Sequence, residues 1–335
     1  MHRVNNQASR PLSEMKYAAV AVGIGDSRYP NQLHAGILHA AENALPEILN
    51  LAFHCLLRND PPEGQYLWVQ PSFDESRLRQ LSAFCRRVWR KNSAKGLPYG
   101  FGLPNAVFDP ATGEYLIRES QYGLTCASFV FAVFHAVGLQ LADYATWPAG
   151  RAEDKAWQMH IISMLEQHAN DPPHVARVKN DIGAVRFHPQ EVAASAACAV
   201  IDEPAAFTDL TTVAETIRLQ LAVEHINRLF ESVGNLSTSQ ATSQEAVPAC
   251  RTAATQTAIR FAEKYRLTPQ HVVSGIAGEL QVHYRHPFQK QLVLVVAVQL
   301  DGVVFASVSE DTIVRVSGRL PEDEGNIIEC FLGAE

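Results

Sequence analysis

The segment GLTCASFVFAVFHAVG, which runs from Gly123 to Gly138, is the most restrictive feature of this sequence. Wound as a helix, it presents apolar side chains on almost every side, so we predict a central helix that other elements enclose. Thr125 or a near neighbour is the expected N-cap, and Gly138 is the expected stop signal. The rest of the fold must therefore be built around this helix.

Three apolar runs before this helix have the length and composition of strands. They are KYAAVAVGI (16–24), LHAGILH (33–39) and ILNLAFHCLL (48–57). A short polar connection around residues 42 and 43 separates the last two runs, which predicts an antiparallel hairpin. Residues 75–91 and 152–168 follow helical spacing instead. The sequence thus predicts an antiparallel sheet packed on helices.

The chain has 335 residues, which leaves room for two domains. Helical patterns at 213–233 and 252–265, followed by apolar runs joined by Asp301-Gly302, predict a second α+β unit. We therefore predict a first domain at residues 1–200 and an α+β accessory domain at residues 201–335. The segment GNLSTSQATSQEAV predicts a mobile linker or loop near residues 234–247.

Composition and charge exclude some classes of partner. The formal net charge of −7 argues against a general nucleic-acid binder, which would need a basic face. The longest apolar stretches fall short of the roughly 20 residues that span a bilayer, so we expect no integral membrane segment. The first residues lack the apolar core of a secretory signal, which predicts a cytoplasmic protein or one exported without an ordinary signal peptide. The sequence indicates no oligomeric state.

One of the six cysteines stands in a special position. The six are widely spaced and form no CxxC pair, which is atypical of a disulfide scaffold or a zinc ribbon, and most should be buried as small apolar residues. Cys126, however, falls in the first turn of the predicted helix, where free N–H groups and the helix dipole favour a thiolate. The same N–H groups could hold an oxyanion, so Cys126 is a candidate nucleophile.

Two short motifs carry a resemblance to a known family. The run TCASFVFAVF, from Thr125, resembles the nucleophile helix of the NlpC/P60 superfamily of papain-like cysteine hydrolases, whose pattern is roughly D/N-C-S/A-x-F-V. Cys126 matches it, while Thr125 stands where Asp or Asn is commoner. The run HAGIL, from His34, resembles the motif H-x-G-I/V-Y that carries the catalytic histidine. Histidine before cysteine is similar to the circularly permuted branch, which includes lecithin:retinol acyltransferase-like and YiiX-like proteins.

The resemblance covers roughly residues 16–150 and implies a papain-like fold with His34 as the base. The run RFHPQEV (186–192) also resembles a trailing segment of such bacterial enzymes. A third residue should orient the imidazole, and the resemblance implies that it lies on the next strand. If the hairpin turns near residues 42 and 43, His54 and Asn50 are the nearest polar residues, and alternation puts both on one face. We favour His54, with Asn50 as the alternative and His39 as a third choice that should point away.

The expected function is that of a cysteine hydrolase that cleaves an amide, as in peptidoglycan-type or isopeptide substrates. Alternatives are a lipid acyltransferase or thioesterase with the same site, and a catalytically inactive papain-like binding protein. The substrate would be a peptide, an amide or an acyl compound, with Tyr99, Phe101 and Thr125 as candidate contacts. No cofactor is expected.

A rival interpretation is a zinc site that uses His34, His39, His54 and Cys55 as its ligands. Alternation along a strand makes His34 and His39 point to opposite sides, and His54 and Cys55 point apart as well. We therefore predict no metal site.

Overall fold

The computed structural model describes residues 4–6, 10–25, 31–41, 44–62, 66–117, 123–200, 203–233, 246–275, 279–289, 291–299, 301 and 303–333. These residues form an α+β protein with two antiparallel sheets. By internal contacts the chain divides into two compact units, residues 1–23 with 33–218 and residues 24–32 with 219–335. The division falls inside a helix rather than near residue 200. Of the predicted linker, residues 234–245 lie outside the described residues.

The first unit is built on a five-stranded sheet in the order β4-β3-β2-β1-β5. Its strands are β1 (Ala18–Ile24), β2 (Leu33–His39), β3 (Glu47–Phe53), β4 (Leu56–Asp60) and β5 (Tyr66–Val69). Strands β2 and β3 pair in antiparallel fashion, with Ile37 opposite Leu49 and Leu38 opposite Ile48, which confirms the predicted hairpin.

The first unit also contains helices, and the central one is buried as predicted. They are α1 (Glu75–Asn92), α2 (Cys126–Ala136), α3 (Ala152–His168), α4 (Pro172–Asn180), α5 (Pro189–Cys198) and the beginning of α6 (Phe207–Val233). Every residue of α2 from Cys126 to Phe134 is buried, and the helix contacts β2, β3, α1 and α5. A helix that is apolar all round needs such an enclosure, because any face turned to water would expose hydrocarbon.

The run 48–57, predicted as one strand, is two strands joined by a tight turn. Strand β3 ends at Phe53, and its pairing with β4 shifts register between Leu51 and Phe53. Cys55 takes a positive φ of 56°, a left-handed conformation that a strand cannot continue through. Its neighbour His54 therefore lies in the turn and not on the face that strand alternation predicted.

Helix α4 was not predicted, and it begins with two prolines, Pro172 and Pro173. The two prolines occupy the first positions of the helix, and the Asp171 side chain caps it by accepting a hydrogen bond from the His174 N–H at 3.1 Å. Proline suits the first helical turn, where its missing N–H would have had no partner in any case. The segment thus carries an N-terminal signature rather than a stop.

The second unit has its own five-stranded antiparallel sheet in the order β10-β9-β8-β7-β6. The strands are β6 (His271–Ser274), β7 (Leu280–Arg285), β8 (Leu292–Val298), β9 (Val304–Glu310) and β10 (Ile313–Leu320), with helices α7 (Ala246–Tyr265) and α8 (Glu324–Leu332) packed on them. Burial alternates along β8, so every second residue faces the core. Among the described residues, no helix has both the length and the apolar character needed to cross a bilayer.

Candidate functional site

Cys126 begins helix α2, as the sequence predicts. Thr125 is the N-cap: its hydroxyl accepts a hydrogen bond from the Ser128 N–H at 3.1 Å, and the Ser128 hydroxyl accepts one from the Thr125 N–H at 2.9 Å. This reciprocal capping box fixes the first turn and holds the cysteine at the end of the helix. The Cys126 side chain is almost buried, with 6% of its surface exposed. The sulfur therefore has a rigid position and little water around it.

His34 of β2 lies against the Cys126 thiol, so the structure brings together the two residues that the motifs singled out. On its other side, the imidazole Nε2 is 3.0 Å from Oδ1 of Asn50 in β3. The Asn50 Nδ2 in turn donates to the Ile48 carbonyl at 3.4 Å, which orients the amide with its oxygen toward the ring. An amide oxygen only accepts, so Nε2 carries the proton and Nδ1 is left to face the thiol.

The two groups shift each other's pKa in opposite directions. Burial alone would raise the pKa of Cys126, but the charge and hydrogen bond of His34 outweigh it, with help from the Ala35 N–H and the Arg186 charge, and the pKa ends below its ordinary value. Burial lowers the pKa of His34, but Cys126 and Asn50 outweigh it and leave the pKa above its ordinary value. Both shifts act in the direction that favours a thiolate beside an imidazolium.

The other cysteines with a resolved shift behave in the opposite way. Burial raises the pKa of Cys85 to about 12, and it also raises the pKa of Cys55, Cys198 and Cys250. Burial disfavours a thiolate wherever no cation or donor compensates it. Cys126 is thus the activated thiol of this group.

Tyr99, predicted as a substrate contact, lies at the same place. Its hydroxyl is beside the Cys126 thiol and accepts a hydrogen bond from the Cys126 backbone N–H, and burial followed by the thiolate charge raises its pKa well above the ordinary value. The phenol therefore stays protonated and retains a donor. The hydroxyl proton and the Cys126 N–H are thus two hydrogen-bond donors close to the sulfur.

A close backbone contact brings the Tyr99 loop to the start of α2. Tyr99 pairs with Leu124 in a parallel bridge. A Cβ on Gly123 would lie only 2.4 Å from the Gly100 nitrogen and from the Tyr99 carbonyl carbon, so only glycine fits there. The loop and the helix start thus form one unit.

Phe101 and Thr125, the other predicted substrate contacts, line a narrow cavity next to Cys126. The cavity has an accessible volume of about 10 Å³, enough for about one water molecule. Arg186 and Gln158 supply polar groups to its wall. Phe101 itself is only 5% exposed and lies 5.8 Å from the ring of Trp157. In this structure both predicted residues are therefore part of a closed wall.

His54, which we favoured as the third residue, is engaged elsewhere. Its Nδ1 accepts a hydrogen bond from the Tyr99 N–H at 3.3 Å, and its ring packs against His174. The position beside His34 belongs to Asn50, the alternative residue. The physical reason is the turn after Phe53, which removes His54 from the face that Asn50 shares with His34. His39, the third choice, bonds Asn59 at 2.6 Å instead.

A buried ionic cluster supports the wall of the site. Asp154 lies 2.6 Å from the Nε of Arg151, 3.2 Å from Nη1 of Arg186 and 2.7 Å from Nε2 of His188. Arg151 also contacts Glu191 at 2.6 Å. The Arg186 guanidinium stacks 3.9 Å from the Trp157 ring centroid, and its charge acts on both Cys126 and Tyr99. The run RFHPQEV is thus structurally tied to the site.

The metal interpretation gains no support from the arrangement. Within the described ranges, no group of three or more His, Cys, Asp or Glu side chains could hold a metal ion. His34, His39 and His54 each face a different partner.

Sequence reasoning missed His174, which lies in α4 and contacts Tyr99. The signal that could have located this helix was the Asp171-Pro-Pro start, an N-cap followed by proline.

Comparison of the chain with protein-family models, with curated proteins and with solved structures finds no match.

Proposed function

We propose that the first unit is a cysteine hydrolase that cleaves an amide bond, with Cys126 as nucleophile, His34 as base and Asn50 as the residue that orients the imidazole. The observation that carries the proposal is the contact between Cys126 and His34, in which the thiol pKa is lowered and the imidazole pKa is raised. A nucleophile paired with a base that a third group orients is the arrangement of covalent hydrolases. The resemblance to permuted NlpC/P60 enzymes, and to a papain-like packing of helix on sheet, is part of the same proposal.

The reaction begins when the thiolate attacks the carbonyl carbon of the substrate. A carbon–sulfur bond forms, and the electron pair of the C=O bond moves to the oxygen. When the tetrahedral intermediate collapses, the leaving amine takes the proton from the His34 imidazolium, which leaves a thioester on Cys126. Neutral His34 then accepts a proton from water, the hydroxide attacks the thioester, and the acid product departs as the ion pair is restored.

The negative oxygen of each tetrahedral intermediate needs hydrogen-bond donors. The Cys126 N–H and the Tyr99 O–H lie together beside the sulfur and are the donors at hand. The N–H belongs to the first turn of α2 and the O–H to a buried side chain, so both need little rearrangement as charge develops. In this proposal Tyr99 stabilises the transition state rather than only contacting substrate.

The substrate class follows from the resemblance and not from the cavity. We propose a peptide amide of the peptidoglycan or isopeptide type. A lipid acyltransferase or thioesterase would use the same three residues on an ester or thioester.

The test begins with the purified protein and its Cys126→Ser variant. Both are incubated with muropeptides, with isopeptide-linked peptides and with acyl esters, and products and covalent adducts are followed by mass spectrometry. We expect amide cleavage and a transient acyl adduct on Cys126, both absent from the variant. Turnover of acyl esters alone would favour the acyltransferase or thioesterase. Complete lack of adducts on Cys126, even with activated esters, would favour a binding protein and contradict the proposal.

A further inference from the structure

Two histidines hold both backbone groups of Tyr99. The bridge to Leu124 uses neighbours of Tyr99: the Leu124 N–H donates to the Pro98 carbonyl at 3.0 Å, and the Gly100 N–H donates to the Leu124 carbonyl at 3.2 Å. In such a parallel bridge the N–H and C=O of Tyr99, which lies between these two residues, point away from Leu124. There, the Tyr99 N–H donates to His54 Nδ1 at 3.3 Å, and its carbonyl accepts from His174 Nε2 at 2.7 Å.

The two imidazoles also pack against each other. Their ring centroids are 4.5 Å apart with an angle of 39° between the planes. His174 is completely buried in α4, whereas His54 is half-buried in the turn between β3 and β4. Helix α4 and the β3–β4 turn thus each supply a histidine that bonds the Tyr99 backbone. Both backbone hydrogen-bonding groups of Tyr99 are thereby satisfied, which leaves the residue little freedom.

The hydrogen bonds define the protonation of each ring. A carbonyl oxygen only accepts, so Nε2 of His174 carries a proton. His54 accepts through Nδ1, so its own proton is on Nε2 and the ring is neutral. Burial and the nearby His174 lower the pKa of His54 and outweigh the opposing effect of Asp171. The lowered pKa favours the neutral form.

We propose that His54 and His174 are positioning residues that fix the Tyr99 backbone, so that its hydroxyl stays at the Cys126 N–H where negative charge develops during acyl transfer. The inference rests on the proposed function, because it assigns Tyr99 a part in that reaction. The phenol hydroxyl is at the far end of a long side chain, so a small rotation of the Tyr99 peptide displaces it by much more than the backbone moves. Misplacement by about 1 Å can cost roughly 100-fold in rate, so a clamp on the backbone has a functional consequence.

The experiment compares two reactions of the same sulfur. Acylation by p-nitrophenyl acetate passes through an oxyanion and releases p-nitrophenolate, whereas alkylation by iodoacetamide displaces iodide and forms no oxyanion. The variants are Tyr99→Phe, His174→Leu and His54→Leu, with His174→Gln and His54→Asn as matched controls. Gln can place a donor near the Nε2 position of histidine, and Asn can place an acceptor near the Nδ1 position.

We expect Tyr99→Phe to slow acylation by about 100-fold, the usual scale for one oxyanion donor. His174→Leu and His54→Leu should each slow acylation by about 10-fold or more, while alkylation of Cys126 stays within about twofold. His174→Gln and His54→Asn should recover most of the lost rate. In the double variant with Tyr99→Phe, His174→Leu should cost little further, because both changes act through one hydroxyl.

Other results would overturn the inference. Equal losses of acylation and alkylation, no recovery in the Gln and Asn variants, or full additivity with Tyr99→Phe would each reduce the histidines to a structural role. If His174→Leu fails to fold, the variants His54→Leu and His54→Asn give the same comparison, because His54 is only half-buried. A Tyr99→Phe variant with normal acylation would overturn this inference and leave the proposed Cys126 hydrolase in place. A wild-type chain that cannot be acylated at Cys126 would contradict the proposed function and this inference with it.

Discussion

Asn50 accepts a hydrogen bond from His34 across adjacent strands, with 3.0 Å between Oδ1 and Nε2. Ile37 pairs with Leu49, and the same register places Gly36 opposite Asn50. His34 and Asn50 are therefore diagonal neighbours on one face of the sheet. This relationship turns the other imidazole nitrogen toward Cys126. The sheet therefore sets the geometry of the nucleophile through its register.

Asn50→Ala should reduce acyl transfer from Cys126 by about 10- to 100-fold, because the imidazole loses the group that fixes its tautomer and orientation. The thermal midpoint should change much less than the rate. Single-turnover acylation by an activated ester measures the first quantity, and calorimetry the second. Asn59→Ala is the matched control, because Asn59 makes the same kind of bond to His39. Equal losses in both variants would contradict the assignment of Asn50.

Gly36→Ala should destabilise the first unit by about 1–3 kcal/mol and also slow acylation. A Cβ at Gly36 would lie 2.7 Å from Cγ2 of Ile48 and 3.0 Å from Cβ of Asn50, so the strands must separate at the point that carries the His34 contact. Urea unfolding measures the free energy. Gly325→Ala is the control, since nothing lies within 4 Å of its added Cβ and alanine is the better helix former. A fully stable Gly36→Ala variant with normal acylation would refute this account of the motif.

Asp154→Asn should cost about 3–5 kcal/mol of folding free energy, because it leaves the buried Arg151 and Arg186 without their shared carboxylate. The control Asp60→Asn breaks an exposed pair with Arg58 and should cost at most about 1 kcal/mol. Both values come from denaturant unfolding at neutral pH. Comparable small losses would mean that the cluster contributes little to stability.

Asp154 also predicts how stability depends on pH. Burial raises the pKa of its carboxyl, but the hydrogen bonds and charges of His188 and Arg151 outweigh it and leave the pKa below the ordinary value. The stabilisation is therefore complete above the ordinary carboxyl pKa and is lost as pH falls through the folded-state pKa. In Asp154→Asn this acid-dependent part of the unfolding free energy should be missing, and an unchanged pH dependence would contradict the assignment.

Local sequence signals predicted the elements that carry the candidate nucleophile and base. The N-cap at Thr125 and strand β2 were read correctly, because a capping residue and an uninterrupted apolar run of strand length are properties of neighbouring residues. The choice between His54 and Asn50 was not local. It depended on where β3 ends, and the apolar run continues through the turn at Cys55, so the sequence conceals the break.

Other elements lacked a readable pattern. Strand β10 was missed because most of its side chains are exposed, and no alternation of apolar residues marks it. The contact of His174 with Tyr99 joins residues 75 positions apart, which spacing alone cannot reveal. The α+β class followed from periodicity, whereas the side-chain partners of the site followed only from the three-dimensional arrangement.

The pH dependence of Cys126 alkylation by iodoacetamide tests the thiolate–imidazolium pair most directly. Rates are measured by mass spectrometry from about pH 4 to 10 for the wild type, for His34→Ala and for the control His168→Ala on the exposed end of α3. We predict that the wild type and the control reach half of their maximal rate at a pH below about 8.5, the pKa of a free thiol. In His34→Ala the midpoint should rise, because only the Ala35 N–H and the Arg186 charge then oppose the effect of burial on the Cys126 pKa. A wild-type midpoint at or above that of a free thiol, or one that His34→Ala leaves unchanged, would contradict the account.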